Sequence, residues 1–177
     1  MNLPNRITLV RVLLVPVLAV LLLLCPQFPY LKWAALGVFI LASVTDFVDG
    51  NLARKMGLVT NFGKFMDPLA DKLLVCSALV CLCSLQRLAA WIVIVIIARE
   101  FIISGFRLVA ADAGVVIAAS MWGKVKTVFQ MTMVILLIAD IPALQTVTLI
   151  VIYAATILTI VSLADYIAKN RKIISDY

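Results

Sequence analysis

ITLVRVLLVPVLAVLLLLC, residues Ile7 to Cys25, holds a single charge, Arg11, in an otherwise apolar run. A bilayer core of roughly 30 Å takes about 20 apolar residues to cross as a helix, so this run is long enough for one span. Arg6 ahead of it gives the look of a secretory signal, but no small-x-small cleavage site follows, and the run reads as a span that stays in place. Working outward, further apolar runs lie near residues 31–54, 66–85, 88–110, 122–140 and 143–168. The expectation is an all-α integral membrane protein with six transmembrane helices in one bundle.

Composition agrees. The chain has 177 residues, 65% of them hydrophobic, with a mean hydropathy of +1.18, far from ordinary soluble domains. Six spans leave no room for an extramembrane domain, so residues 1–177 read as one membrane domain. Pro26 and Pro29 break the first pair of runs, Pro68 reads as the first turn of the third helix, and Pro142 separates the last two. Cys25, Cys76, Cys81 and Cys83 lack metal-type spacing and read as small apolar residues. The chain contains no histidine. That excludes a histidine base, a histidine ligand and any covalent phosphohistidine.

Lys and Arg collect on alternate connections. With the N-terminus inside, Arg6, Arg11, Arg54, Lys55, Lys64, Lys72, Arg99, Arg107, Lys124, Lys126, Lys169, Arg171 and Lys172 fall on the cytoplasmic side, leaving Lys32 and Arg87 outside. Both termini are expected in the cytoplasm. This bias and anionic headgroups account for the net charge of +6, and nothing points to nucleic acid.

The chemistry is concentrated between Asp46 and Asp71. Ionisable side chains at membrane depth are costly and mark function. Asp46 and Asp49 are three apart, and Asp67 and Asp71 four apart, so each pair projects from one face of a helix. A lone Asp-x-x-Asp is more often a solvated helix end. Four carboxylates on adjoining helices, however, would repel or take up protons unless cations lay between them. Oxygen-only donors favour hard divalent ions such as Mg²⁺, Mn²⁺ or Ca²⁺. Gly50 and Ala53 leave little bulk beside the first pair, Gly63 does the same beside the second, and Arg54 could neutralise a phosphate oxygen. Together these features describe a diphosphate site.

Asp46, Asp49, Gly50, Ala53, Arg54, Gly63, Asp67 and Asp71 form the pattern Asp-x-x-Asp-Gly-x-x-Ala-Arg, eight residues, then Gly-x-x-x-Asp-x-x-x-Asp. By this pattern the chain resembles the CDP-alcohol phosphotransferase family without a gap or substitution. The resemblance implies a homodimer of six-span subunits whose metal site opens to the cytoplasm. It implies two divalent ions, Mg²⁺ or Mn²⁺, one held by Asp46, Asp49 and Asp67 and the other by Asp46, Asp67 and Asp71. Transfer to the acceptor alcohol then needs no covalent intermediate. Asp71, last in the pattern, is the candidate base for the attacking hydroxyl.

A second set of charges bears on the acceptor. Arg99 and Arg107 are eight apart on one helical face with Ile103 between them. Each has a plain alternative: Arg99 could pair with Glu100 or a pattern aspartate, and Arg107, Lys124 and Lys126 could be cytoplasmic flanks. Lys124 and Lys126 are two apart, so they converge only if one precedes its helix, which Gly123 would permit. With Lys64 these cations would hold a phosphorylated acceptor. Asn2-Leu3-Pro4-Asn5-Arg6-Ile7-Thr8 with Arg11, Ala98-Arg99-Glu100-Phe101 with Arg107, and Gly123-Lys124-Val125-Lys126-Thr127 with Gln130 resemble the bacterial phosphatidylglycerophosphate synthase branch of that family. This implies a bacterial inner-membrane enzyme using CDP-diacylglycerol and sn-glycerol 3-phosphate. Lys64, Arg99, Arg107, Lys124 and Lys126 would bind the acceptor phosphate, and Asn5 and Arg11 would frame the lipid-nucleotide entrance. A sister enzyme using inositol 1-phosphate or serine is the nearest alternative. A divalent-cation transporter fits less well, because its acids would run through the bilayer depth rather than cluster at one end beside cations.

Overall fold

The computed structural model describes the backbone of residues 3–55, 61–112 and 120–170, and side chains within these outside 3–7, 46–55, 61–68 and 112. Among the described residues the chain is all-helical: α1 (Leu3–Leu24), α2 (Leu31–Lys55), α3 (Asn61–Ser84), α4 (Ala90–Asp112), α5 (Met121–Ala139), a short 3₁₀ turn (Pro142–Leu144) and α6 (Gln145–Lys169). Each apolar run has become a helix. α3 is the correction: it begins at Asn61, so Pro68 lies beyond its first turn. Proline has no N–H to offer the carbonyl one turn back, a loss that membrane helices absorb by local adjustment. α1 likewise continues through Pro16.

α5 and the segment Pro142–Lys169 are each long and apolar enough to cross a bilayer, and α1 and α2 contain shorter apolar stretches, Thr8–Leu24 and Leu31–Thr45. α4 is apolar but interrupted by Arg99, Glu100 and Arg107. The helices expose large apolar residues on their outer sides, including Leu9, Leu13 and Val20 on α1 and Ile150, Ile157 and Ile160 on α6. Helices that are apolar all round belong in an apolar solvent or a large core.

The chain packs as two compact units, residues 1–88 with 137–140 and residues 89–136 with 141–177. In the first, α1 packs on both α2 and α3, and α2 meets α3. Val15, Leu18 and Leu22 of α1, Ala35, Phe39 and Ala42 of α2, and Leu74, Ala78 and Leu82 of α3 are buried at helical spacing. In the second, α4 packs on α6, with Ile92, Ile96 and Ile103 buried on one and Ile152, Ala155 and Thr159 on the other.

Polar capping closes one end of the first unit. α3 ends as the Gln86 N–H donates to the Cys83 carbonyl (3.0 Å) and the Arg87 N–H to the Leu82 carbonyl (3.0 Å). This is a Schellman arrangement, with Gln86 at φ 60° where glycine is usual. Arg87 then donates from Nη1 to the Leu137 carbonyl (3.2 Å) and pairs through Nη2 with Asp140 (2.9 Å). Lys32 donates to the Asp140 carbonyl (3.2 Å) and lies 5.4 Å from the Trp33 ring centroid. Two cations thus meet the carbonyl end of α5, where the helix dipole favours positive charge. Both are the cations that the charge count placed outside.

Replacing Arg87 with Ala removes one carbonyl contact and one partly exposed ion pair, worth together roughly 1 kcal/mol. The detergent-solubilised variant is expected to lose about 2–4 °C of thermal midpoint while keeping its turnover at ambient temperature. An unchanged midpoint would mean that the guanidinium does not fasten this end.

Candidate active site

The backbone puts Asp46, Asp49, Gly50, Ala53 and Arg54 in the last turns of α2, and Gly63, Lys64, Asp67 and Asp71 in the first turns of α3. The two helices pack against each other within the first unit. The side chains of Asn5, Asp46, Asp49, Ala53, Arg54, Lys64 and Asp67, with the surroundings of Gly50 and Gly63, lie outside the described residues. Asp71 is described and half-buried, next to Ala70 and one turn short of Val75, both buried in the α3 packing stripe.

The chain reaches this region with polar groups already committed. On α2, Ser43 Oγ donates to the Phe39 carbonyl (2.8 Å), and Thr45 Oγ1 to the carbonyls of Leu41 (2.7 Å) and Ala42 (3.0 Å). Hydroxyls that bond back to their own helix leave it free to pack. Arg11 of α1 is only 2% exposed and donates from Nε to the Ala42 carbonyl (3.3 Å). Ala42 is one turn before Asp46. A buried guanidinium is therefore fixed beside the helix that carries the first aspartate pair, at the end of the unit away from Lys32. Fourteen helical residues separate Lys32 from Asp46, about 21 Å along α2.

Four carboxylates on two packed helices, with no histidine anywhere in the chain, are residues whose chemistry fits a hard divalent cation better than zinc.

The second unit holds a different polar cluster. Arg99 of α4 is 8% exposed and Lys126 of α5 only 1%. Both donate to the same carboxylate oxygen, Glu100 Oε1: Arg99 through Nη1 at 3.0 Å, and Lys126 through Nζ. Arg99 also donates from Nε to Ser162 Oγ of α6 (3.1 Å). Gly123 leaves room for the same guanidinium, since a Cβ there would stand 3.3 Å from Nη2. Gln130, one turn beyond Lys126 and buried, has a side-chain carbonyl without a hydrogen-bond partner.

The pairing of Arg99 with Glu100 was one of the alternatives open from the sequence, and it is formed. Arg107 lies on α4 two turns beyond Arg99 but is exposed, while Ile103 between them is buried. α5 starts at Met121, so neither Lys124 nor Lys126 precedes it. The one route by which the two lysines could converge is absent: Lys126 is buried and Lys124 exposed. Ser162 was missed altogether. Its signal was faint, a serine three residues after Thr159 and six after Thr156 on the same buried face of α6.

The CDP-alcohol phosphatidyltransferase family matches residues 1–161, and the chain belongs to it, a family of transferases. A Bacillus subtilis protein named CDP-diacylglycerol–glycerol-3-phosphate 3-phosphatidyltransferase is 44% identical, covering 96% of this chain and 95% of that protein. Proteins of the same name from Rickettsia bellii and Pseudomonas fluorescens are 36% and 40% identical, over 97% and 81% of this chain and 96% and 75% of theirs. The family generally uses divalent metals.

Removing one member of a buried charge cluster strands the others, at a cost on the order of 3 kcal/mol. Glu100→Gln is therefore expected to lower the thermal midpoint well below that of Arg87→Ala. Adding Lys126→Met should recover part of the loss, because the stranded ammonium is gone. Equal midpoints for wild type and Glu100→Gln would show that the carboxylate carries no such burden.

Proposed function

We propose that this chain transfers the phosphatidyl group of CDP-diacylglycerol to sn-glycerol 3-phosphate, releasing phosphatidylglycerophosphate and CMP. The observation that carries the reading is the family match over 1–161 together with near-full-length relatives whose names state this reaction. The unbroken eight-position aspartate pattern on α2 and α3 supports it from the residues themselves.

Asp46, Asp49 and Asp67 hold one divalent ion and Asp46, Asp67 and Asp71 a second, Mg²⁺ or Mn²⁺. Once bound, such ions neutralise the diphosphate, sharpen the phosphorus for attack and stabilise the departing CMP. Gly50, Ala53 and Gly63 keep side-chain bulk away from the nucleotide, Arg54 neutralises a phosphate oxygen, and Asn5 and Arg11 frame the entry of the CDP-lipid. Arg99 and Lys126 bind the acceptor phosphate with Lys64, while the exposed Arg107 and Lys124 draw it in. Asp71 takes the proton from the acceptor hydroxyl. The oxygen of that acceptor hydroxyl forms the new bond to the phosphorus bearing the diacylglycerol, and the bond from that phosphorus to the departing CMP breaks.

Residues 1–177 act as one membrane domain, a homodimer subunit with six spans and both termini in the cytoplasm, in a bacterial inner membrane with the site facing inward. The collection of Lys32 and Arg87 at one end of the first unit supports this orientation, since the aspartates occupy the other end of the same helices.

Purified protein offered labelled CDP-diacylglycerol is expected to release CMP with glycerol 3-phosphate, to stop with a chelator, and to resume with Mg²⁺ or Mn²⁺. Asp67→Asn is expected to cut turnover on the order of 10³-fold or more while the protein still folds. Turnover with inositol 1-phosphate or serine but not glycerol 3-phosphate would overturn the acceptor. Full activity of Asp67→Asn would overturn the metal role.

A further inference from the structure

Arg99 is held on two of its three nitrogens. Nε donates to Ser162 Oγ at 3.1 Å, and Nη1 to Glu100 Oε1 at 3.0 Å. Nη2 makes no hydrogen bond among the described residues. It lies beside Gly123, where the missing Cβ keeps its approach open. Ser162 is itself fully buried and anchored, donating to the Thr159 carbonyl at 3.0 Å. With its own hydrogen committed to that carbonyl, the hydroxyl presents a lone pair to Nε.

A planar guanidinium fixed at Nε and at one terminal nitrogen has no torsion left to spend, so the direction of the other terminal nitrogen is set. We infer that Ser162 is a positioning residue for acceptor recognition: together with Glu100 it locks Arg99 so that Nη2, over Gly123, is the donor offered to the phosphate of the acceptor. This rests on the proposed role of Arg99 in binding that phosphate. A hydroxyl whose only service were to satisfy its helix would resemble Thr156 and Thr159, which bond to the carbonyls of Ile152 and Ala155 and, among the described residues, accept nothing from another helix. Ser162 alone of the three accepts from a cation.

The same geometry gives Gly123 a function. An alanine there would bring its Cβ to 3.3 Å from Nη2, so that this nitrogen would have to shift by a few tenths of an ångström from the position that Ser162 and Glu100 set.

The experiment is steady-state kinetics on purified full-length protein in detergent, with glycerol 3-phosphate and CDP-diacylglycerol varied in turn. Ser162→Ala is expected to raise KM for glycerol 3-phosphate about three- to tenfold, the size of one ordinary net hydrogen bond. KM for CDP-diacylglycerol and kcat are expected to hold within about twofold, well inside that single-bond effect. In an Arg99→Lys background, which has no Nε to hold, Ser162→Ala is expected to add nothing. Gly123→Ala, with Ser162 in place, is expected to give the same split between KM and kcat, and serves if Ser162→Ala does not fold. If Arg99→Lys raises KM for glycerol 3-phosphate but Ser162→Ala and Gly123→Ala leave it unchanged, the positioning role is overturned while that of Arg99 stands. If Ser162→Ala acts equally in both backgrounds, its role is packing and the inference falls. If Arg99→Lys leaves KM for glycerol 3-phosphate unchanged, the proposed role of Arg99 fails and takes the inference with it.

Discussion

A charge carried into an apolar helix must be answered by an opposite charge or by hydrogen bonds, because the surroundings offer neither water nor mobile ions. The ionisable groups of this protein settle in ways that follow from that constraint. Arg87 and Lys32 answer the carbonyl end of α5 and Asp140. Arg99 and Lys126 share one oxygen of Glu100. Arg11 reaches a carbonyl of α2. The four aspartates of the α2 and α3 ends are, in the proposed function, the ligands of divalent metal.

The same constraint bears on the cluster of Arg99, Lys126 and Glu100, the proposed acceptor site. An arginine and a lysine almost wholly buried would repel each other and lose solvation, and Glu100 makes their burial tolerable. Among the described residues Arg99 keeps Nη2 in reserve. A phosphate needs such donors, fixed before it arrives, because ordering them afterwards would weaken binding. Ser162 and Gly123 contribute nothing to charge and much to where the charge points.

Much of the helical layout was legible because an apolar run of span length has few other uses. The departures have physical causes. α3 starts at Asn61 because a proline suited to a helix start is also tolerated inside a membrane helix, so Pro68 misplaced the boundary. Gln86 and Asp140 adopt positive φ without glycine, and a turn held by Arg87 across the connections leaves no mark on local sequence. The period of α5 was readable and correctly kept Lys124 and Lys126 apart, but the exception allowed at Gly123 is unused. That glycine instead makes room for Arg99. The aspartate pattern was the plainest feature, since four acids in apolar helices have no structural purpose. Ser162 was illegible: in apolar helices most hydroxyls bond to their own backbone, and only the arrival of α4 beside α6 shows which one does more.

The central claim is that the aspartates bind divalent metal, and it can be read without turnover. Mn²⁺ added to the purified full-length protein gives an EPR signal for the free ion that disappears on binding. The account predicts about two ions taken up per wild-type chain, as a two-metal site requires, and almost none by the folded Asp46→Asn/Asp67→Asn double variant. Equal uptake by the two proteins would contradict it.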